Sequence, residues 1–253
     1  MTPGNENTKS SKSSKETPGS LDSSAAPSGF NSSAAPSSLD SSAAPSGFNN
    51  STAPGSPDSN APSGTPSSPG IILVTGGVRS GKSTFAEQLA EQAAHAGHQV
   101  TYIATADAGD EEMRRRIEEH QKRRPAHFTT AEERYHPDRI IRESKDPSPY
   151  FLLDCLTLLL TNHLLRRWEG SDDAQSYLDG AREALNAVDA LLQAAQTSPG
   201  TLLVVTNEVG MGVVPEHPLG RIFRDLAGQA NQKVAAAADQ VWFSVCGITR
   251  RWK

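Results

Sequence analysis

The feature that most constrains this chain is a glycine-rich octapeptide, Gly76 to Ser83, which lies between an apolar run and a helical pattern. Its sequence, GGVRSGKS, fits the phosphate-binding loop, in which Gly is followed by four residues and then by Gly-Lys-Ser. The apolar run 71–75 before it predicts a strand, and apolar residues at helical spacing from Phe85 onward predict a helix. A loop of this kind between a strand and a helix predicts an α/β nucleotide-binding fold.

Each residue type in the loop has a chemical role. Gly76 and Gly81 allow the backbone to turn tightly and bring its N–H groups close to a phosphate chain. The helix that follows points the positive end of its dipole at the same place. Lys82 supplies a charge for the β and γ phosphates, and Ser83 supplies a hydroxyl for Mg²⁺. We expect the whole loop to bind nucleotide, namely Gly76, Gly77, Val78, Arg79, Ser80, Gly81, Lys82 and Ser83.

Residues 1–69 differ in composition from the rest of the 253-residue chain, because they contain almost no large apolar side chains. Residues 21–57 repeat a nine-residue unit rich in Ser, Ala and Pro, such as LDSSAAPSG. Such a repeat cannot bury enough apolar surface to offset the entropy of ordering it. We expect a disordered tail over 1–69, which could serve as a spacer or a docking segment, and one folded domain over 70–253.

Charge and hydropathy exclude several classes of protein. The 184 residues after the tail carry 21 basic and 24 acidic side chains, so nothing predicts capture of nucleic acid. No apolar run approaches the roughly 18 residues that a membrane-spanning helix needs, and no secretory signal is evident. Cys155 and Cys246 lie in apolar runs and are expected to be buried thiols in a reducing cytoplasm.

Strands and helices alternate after the tail. Apolar runs predict strands at 71–75, 99–104, 150–154, 201–206 and 240–246, and helical spacing predicts helices after the loop and over 110–123, 178–195 and 219–237. Right-handed crossovers place helices on both faces of such a sheet. The expected fold is therefore α/β, a three-layer P-loop NTPase-type domain whose mostly parallel central sheet is covered by helices on both faces.

Three further residues are candidates for chemistry. Asp154 ends an apolar strand as a Walker B acid does, and it is expected to bind Mg²⁺ directly or through water. Glu208 ends another strand and either assists the ligand or stabilises the turn after it. His120 continues a helical stripe with Met113 and Ile117, a pattern that suits a half-buried structural histidine or a nucleophile. The histidines lack zinc-ligand spacing, so we expect no zinc.

Several stretches together resemble a known family. They are GGVRSGKS at 76–83, YIATA at 102–106, the Arg-Ile-x-x-His core of 112–125, DCLT at 154–157, and TNEVGMGVVPEHPLGRIFRDLAGQANQKVAAAADQVW at 206–242. These stretches resemble the bifunctional adenosylcobinamide kinase / adenosylcobinamide-phosphate guanylyltransferase family of cobalamin biosynthesis. The likeness extends over about 71–248, which leaves out the tail and the end from Arg250 to Lys253.

The resemblance implies two reactions on one corrin substrate. ATP or GTP phosphorylates the aminopropanol hydroxyl of adenosylcobinamide, and GMP is then transferred from GTP to adenosylcobinamide phosphate through a GMP-histidine intermediate. The position that matches the nucleophile is His120. The nucleotide contacts carried over by the resemblance are the phosphate loop, Ala104, Thr105, Ala106, Gln121, Lys122, Arg123, Arg124, Glu132 and Asp154. Family members form trimers, so a homotrimer is expected.

Two other functions compete with this interpretation. One is a small-molecule or nucleotide kinase with a phosphate loop but no guanylyl transfer, which would have no need of His120. The other is a nucleotide-dependent binding module whose tail contacts a partner. A nucleotide bound covalently to the protein would distinguish the bifunctional kinase and guanylyltransferase from both alternatives.

Overall fold

The structure is a computed structural model that describes residues 69–106, 111, 114–115, 121, 124–166 and 174–253. Within these residues one seven-stranded sheet forms the centre of the fold, with the strand order β3-β2-β4-β5-β1-β6-β7. The strands are β1 Gly70–Gly76, β2 Val100–Ala104, β3 Thr129–Glu132, β4 Tyr150–Asp154, β5 Thr201–Val205, β6 Gln240–Val245 and β7 Ile248–Arg251. The predicted tail lies outside the described residues.

Five helices connect or flank these strands within the described part of the chain. They are α1 Lys82–His95, α2 Pro137–Glu143, α3 Leu156–Leu165, α4 Ala174–Thr197 and α5 Pro218–Ala237. In the segment predicted as a helix over 110–123, four positions are described, and all four are helical, namely Glu111, Arg114, Arg115 and Gln121. The remaining positions of that segment lie outside the described residues.

The first six strands pair in parallel, and β7 pairs antiparallel with β6. The central strands β4 and β5 are almost entirely buried, as expected of a sheet packed on both faces. The turn between β6 and β7 places Cys246 and Gly247 at φ 52° and 80°, so a tight hairpin adds the last strand. The sheet therefore has the mostly parallel architecture predicted from the sequence.

Two apolar cores lie on opposite faces of the sheet. One contains side chains of α1, such as Phe85 and Leu89, packed on Ile72 and Leu203. The other contains side chains of α2 to α5 packed on alternate strand residues such as Leu153. Because successive strand residues point to opposite faces, β1, β2, β4 and β5 each contribute to both cores. The prediction of helices on both faces is confirmed.

Four short elements were not predicted. β3 and β7 have four residues each and lie at the two edges of the sheet, where polar residues such as Thr129 and Arg250 are tolerated. Helix α2 has seven residues, too few to show a clear period. Helix α3 has an apolar sequence, LTLLLTNHLL, without a polar face, so hydrophobic periodicity could not reveal it. In the described part of the chain, no helix has the length and apolar character needed to cross a membrane.

The expectation for the cysteines is half correct. Cys155 is buried, but Cys246 is exposed, because the β6–β7 turn carries it away from the core. Both are free thiols. An apolar neighbourhood in sequence does not bury a residue that a tight turn directs outward.

His163 on α3 is 3% exposed and belongs to the buried face of that helix. Its Nε2 lies 3.0 Å from the carbonyl oxygen of Tyr135, and its buried Nδ1 has no hydrogen-bond partner among the described residues. Burial lowers the pKa of His163 below its ordinary value of 6.5, against the opposing effect of the Tyr135 carbonyl. Nearby His136 and Arg166 lower this pKa further, and Glu183 raises it.

This shift predicts acid sensitivity. Below pH 6.5 the unfolded chain binds more protons at His163 than the folded chain, so the free energy of unfolding falls as the pH falls. His163→Gln keeps an N–H donor but cannot charge, and it should lose less stability between about pH 7.5 and about pH 5.5 in urea titrations. Above about pH 7.5 the difference between the two proteins should not change with pH. If the free energy of unfolding fell equally with pH in the wild-type protein and in His163→Gln over the whole acid range, this account would be contradicted.

Candidate functional site

The ends of five parallel strands form one row at the carboxyl edge of the sheet. Pairing places Glu132 of β3 opposite Ala104 of β2, and Ala104 opposite Asp154 of β4. Asp154 in turn lies opposite Val205 of β5, which lies opposite Val74 of β1. The phosphate loop begins two residues beyond Val74. Residues that were widely separated in the sequence analysis therefore meet at the edge where ligands bind in parallel α/β sheets.

The phosphate loop has the backbone geometry expected of an anion cradle. Arg79 and Gly81 have positive φ angles of 57° and 94°, so the chain turns sharply before α1. The first turn of α1 contains no acidic side chain, which leaves the positive end of its dipole for a ligand. Lys82 is 8% exposed, and its Nζ donates to the Gly77 carbonyl at 3.0 Å. The lysine side chain is thus bound by the backbone of its own loop.

The charge of Lys82 is balanced by the end of β4. Burial lowers the pKa of Lys82 from its ordinary 10.5, while the negative forms of Cys155 and Asp154 oppose that shift. Burial also raises the pKa of the Cys155 thiol to about 11, so this thiol is protonated at neutral pH. Asp154 is therefore the anion that acts on Lys82, and the Walker B acid faces the phosphate loop.

Asp154 has a second neighbour on β2. The hydroxyl of Tyr102 donates to Asp154 Oδ2 at 2.6 Å. The guanidinium of Arg124 lies over the same ring, with Cζ 3.8 Å from the ring centroid. The buried Nε of Arg124 has no hydrogen-bond partner among the described residues. A predicted metal-binding carboxylate and a predicted nucleotide-binding cation thus share one tyrosine.

The chain after β2 is fixed to the chain after β4. Thr105 is fully buried, and its Oγ1 donates to the Cys155 carbonyl at 2.8 Å and accepts from the Cys155 N–H at 2.9 Å. Asn162 of α3 donates to the Thr105 carbonyl at 2.8 Å. The side chain and the carbonyl of Thr105 therefore serve the structure, and Ala106 is the one residue of Ala104–Ala106 that is half-buried and not buried.

The two adjacent glutamates at the end of β3 differ in their surroundings. Glu133 Oε1 accepts the N–H groups of Tyr135 and His136 at 2.9 and 3.0 Å, which stabilises the turn before α2. Glu132 is exposed at the row of strand ends. Of the two, Glu132 is the carboxylate suited to contact a ligand.

Glu208 stabilises the backbone beside the phosphate loop. Its carboxylate accepts the N–H of Gly210 at 2.6 Å, and its own N–H donates to the Gly76 carbonyl at 3.0 Å. Of the two roles considered from the sequence, stabilising the turn is the one this geometry supports. The same contacts tie the loop after β5 to the phosphate loop.

A polar network behind the site escaped the sequence analysis. Thr206 Oγ1 donates to Asn231 Oδ1 at 2.7 Å, and Asn231 Nδ2 donates to the Asn207 carbonyl at 3.0 Å. Asn207 Nδ2 donates to Thr157 Oγ1 at 2.8 Å. The network joins α5, the end of β5 and α3. Asn231 interrupts the apolar face of α5 one turn from buried Ala227 and Val234, and a polar residue at such a position is the signal that could have revealed it.

Some predicted site residues have no described structure. His120, Lys122 and Arg123 lie outside the described residues, whereas Gln121 is helical and exposed. Within the loop, Val78 and Arg79 are exposed, and Ser80 is buried. The roles predicted for these residues remain predictions.

The oxygen donors at this edge suit magnesium. Ser83 offers a hydroxyl and Asp154 a carboxylate, and Mg²⁺ prefers oxygen ligands and usually keeps several waters. Among the described residues, no group of three or more His, Cys, Asp and Glu side chains could hold a metal ion by itself. This fits a Mg²⁺ that arrives with nucleotide phosphates and takes few protein ligands.

Comparison with known proteins gives one family and several relatives. Residues 72–251 match the model of the family described as cobinamide kinase / cobinamide phosphate guanyltransferase. The match includes Arg250 and Arg251, which the sequence analysis had left outside the resemblance. The bifunctional adenosylcobalamin biosynthesis protein CobU of Escherichia coli (strain K12) is 46% identical over 180 residues, 70% of this chain and 97% of that protein.

Two further relatives have similar identity. The protein of the same name from Salmonella typhimurium is 47% identical over 180 residues, 70% of this chain and 97% of its own. The bifunctional adenosylcobalamin biosynthesis protein CobP of Pseudomonas aeruginosa is 47% identical over 176 residues, 70% of this chain and 93% of its own.

One solved structure has a distant likeness to this chain. A KaiC-like protein from the hyperthermophilic archaeon Pyrococcus horikoshii matches with a TM-score of 0.38 and 15% identity, over 70% of this chain and 71% of its own. A likeness that distant says nothing about activity.

Gly76 should tolerate no side chain. A Cβ there would overlap the Ser244 carbonyl oxygen and lie 2.8 Å from Ser80 Oγ, and φ is 154°. Gly76→Ala should therefore lower the free energy of unfolding by at least about 2 kcal/mol, measured by urea denaturation without nucleotide. Gly77→Ala is the matched control, because a Cβ at Gly77 meets no heavy atom within 4 Å. Equal stability of the two variants would contradict this account.

Proposed function

Because the chain belongs to the cobinamide kinase / cobinamide phosphate guanyltransferase family, we propose that it carries out both reactions on adenosylcobinamide. It is a bifunctional enzyme of adenosylcobalamin biosynthesis. It phosphorylates the aminopropanol hydroxyl, and it transfers GMP from GTP to the resulting phosphate to give adenosylcobinamide-GDP. The observation that carries this conclusion is the meeting of the phosphate loop, Asp154 and Arg124 at one edge of the sheet, in a chain 46% identical to a bifunctional relative over 97% of that relative's length.

The kinase step requires positioning and charge neutralisation. The substrate hydroxyl must lie in line with the γ-phosphorus of ATP or GTP, and its oxygen forms the new P–O bond as the nucleoside diphosphate leaves. Lys82 and the N-terminal N–H groups of α1 stabilise the charge that develops on the phosphate oxygens. A phosphate oxygen competes with the Gly77 carbonyl for Lys82 Nζ. Ser83 and Asp154 would hold a Mg²⁺ ion, which would supply further charge neutralisation.

The transferase step needs a nucleophile, and we assign it to His120. A neutral imidazole nitrogen attacks the α-phosphorus of GTP, the bond to the bridging oxygen breaks, and pyrophosphate leaves with both electrons. An oxygen of the corrin phosphate then displaces GMP from the histidine. Arg124 follows His120 closely in the chain, so covalent geometry keeps their Cα atoms within about 14 Å. Arg124 lies over Tyr102 beside Asp154, and its nearness to His120 in the sequence is what supports this assignment.

The nucleotide contacts follow the same edge. Arg124 presents a guanidinium with an unpartnered Nε among the described residues, and Glu132 presents an exposed carboxylate opposite Ala104. We assign nucleotide contacts to the phosphate loop, to the backbone of Ala104–Ala106, to Gln121, Lys122, Arg123 and Arg124, to Glu132 and to Asp154. The exposed carboxylate suits donor groups of a base or ribose, and the guanidinium suits phosphate.

The catalytic unit is proposed to be the segment 70–253, with the Ser-, Ala- and Pro-rich tail 1–69 outside it. The family match begins at residue 72, and all proposed site residues lie after it. A cytoplasmic location is proposed with it, because both cysteines are free thiols, as expected in a reducing compartment.

Covalent labelling tests the function. With GTP labelled in its α-phosphate, the wild-type protein should form an acid-labile, alkali-stable GMP adduct. His120→Ala should form none yet keep kinase activity, whereas Lys82→Ala should lose both activities by at least about 100-fold. His95→Ala, at a histidine whose side chain is 76% exposed, is the control and should label normally.

The outcomes separate the rival functions. Phosphorylation of cobinamide with no adduct on the wild-type protein would leave a kinase without guanylyl transfer. Slow GTP hydrolysis with neither product would favour a nucleotide-dependent binding module. An adduct on His120→Ala would show that another residue is the nucleophile.

We also propose a homotrimer, as expected for the family. The loops beside the phosphate site expose four apolar residues, Val78, Met211, Val213 and Val214, with exposed fractions of 62 to 95%. Apolar side chains so exposed suit a subunit boundary.

Light scattering after size exclusion tests the assembly. The wild-type protein should have three times the monomer mass of 26.9 kDa. Val213→Asp combined with Val214→Asp should reduce the trimer fraction, since buried charges oppose association. Leu178→Asp, at a residue 54% exposed on α4, is the control and should remain trimeric. A stable trimer in the double variant would place the interface elsewhere.

A further inference from the structure

Tyr102 lies between the two opposite charges of the site. It is 1% exposed, its hydroxyl donates to Asp154 Oδ2 at 2.6 Å, and the Arg124 guanidinium lies 3.8 Å from its ring centroid. The two contacts use different parts of one side chain, the oxygen for the carboxylate and the π face for the cation. Neither contact requires Tyr102 to touch a ligand.

The sheet register explains how Tyr102 reaches Asp154. Tyr102 and Ala104 point to the same face of β2, because side chains alternate along a strand. Ala104 lies opposite Asp154, and Tyr102 lies opposite Leu152. Asp154 is therefore the diagonal neighbour of Tyr102 on β4, two residues beyond the residue directly opposite. An aromatic side chain can cover that distance. The hydroxyl ends at the carboxylate because pairing of these two strands fixes both backbones.

The phenol is the donor of the hydrogen bond to Asp154, because a carboxylate oxygen accepts. A hydrogen bond of this kind fixes the orientation of a carboxylate that binds a metal.

We propose that Tyr102 is a positioning residue, whose hydroxyl orients Asp154 for Mg²⁺ and whose ring seats the Arg124 guanidinium for the nucleotide phosphates. This inference rests on the proposed function of the same site. The hydroxyl and the ring of Tyr102 have separate roles in this proposal. Loss of the hydroxyl should affect the metal alone, and loss of the ring should also affect the nucleotide.

Three variants separate these roles. Tyr102→Phe removes the hydroxyl and keeps the ring, and Tyr102→Leu removes both. Tyr150→Phe is the matched control on the neighbouring strand, because Tyr150 is also buried at 2% exposure and its hydroxyl has no hydrogen-bond partner among the described residues. If Tyr102→Leu does not fold, Tyr102→Met, which fills similar volume with a flexible chain, takes its place.

Two binding measurements are independent of turnover. Mn²⁺ affinity, measured by electron paramagnetic resonance with a GTP analogue that cannot be cleaved between the α and β phosphates, should fall at least about 10-fold in Tyr102→Phe. GTP affinity in EDTA, measured by calorimetry, should stay within about twofold in Tyr102→Phe and fall about fivefold in Tyr102→Leu. The KM for Mg²⁺ in adduct formation should rise in parallel, and Tyr150→Phe should match the wild-type protein in every measurement.

Several results would overturn the proposal. Tyr102→Phe with unchanged Mn²⁺ affinity would remove the role of the hydroxyl, whatever its thermal stability. Tyr102→Leu or Tyr102→Met with unchanged GTP affinity in EDTA would remove the role of the ring. If the wild-type protein forms neither adduct nor cobinamide phosphate, the proposed function fails, but the two affinities still decide the role of Tyr102.

Discussion

In-register parallel pairing of β2, β4, β5 and β1 sets the geometry of the whole site. Pairing places Ala104, Asp154, Val205 and Val74 in one row, and the phosphate loop continues directly from the last of these strands. A shift of one residue in any pair would turn that strand's side chains to the opposite face. The position of Asp154 relative to Lys82 is thus a consequence of buried β-sheet packing, with apolar cores on both faces to hold it.

The cations Lys82 and Arg124 and the carboxylate of Asp154 interact at this edge of the sheet. Lys82 is buried against its own loop, and burial acts against its charge, which Asp154 helps to maintain. Arg124 and Asp154 contact the ring and the hydroxyl of one tyrosine. A cation stacked on a ring keeps donors for phosphate, and a hydrogen bond from a phenol fixes the orientation of a carboxylate. The geometry therefore suits the phosphates of a nucleotide.

Behind the site, hydrogen bonds connect elements that are far apart in the chain. Thr105 fixes the ends of β2 and β4 together, and Glu208 fixes the loop after β5 to Gly76. Asn231 of α5 holds the first residues of that loop, 206 and 207. Polar side chains at a carboxyl edge can thus serve the backbone as well as a ligand. Glu133 serves the backbone in this way, whereas its neighbour Glu132 is exposed.

The sequence by itself determined the phosphate loop, the central strands, the long helices and the family, because these depend on local spacing and on residues adjacent in the chain. It did not reveal β3, β7 or α3, since short edge strands and a helix with few polar residues lack an amphipathic period. It also misplaced Cys246, whose exposure depends on a turn. Only the tertiary structure decided that Tyr102 contacts both Asp154 and Arg124, because strand register brings together side chains that no local pattern connects.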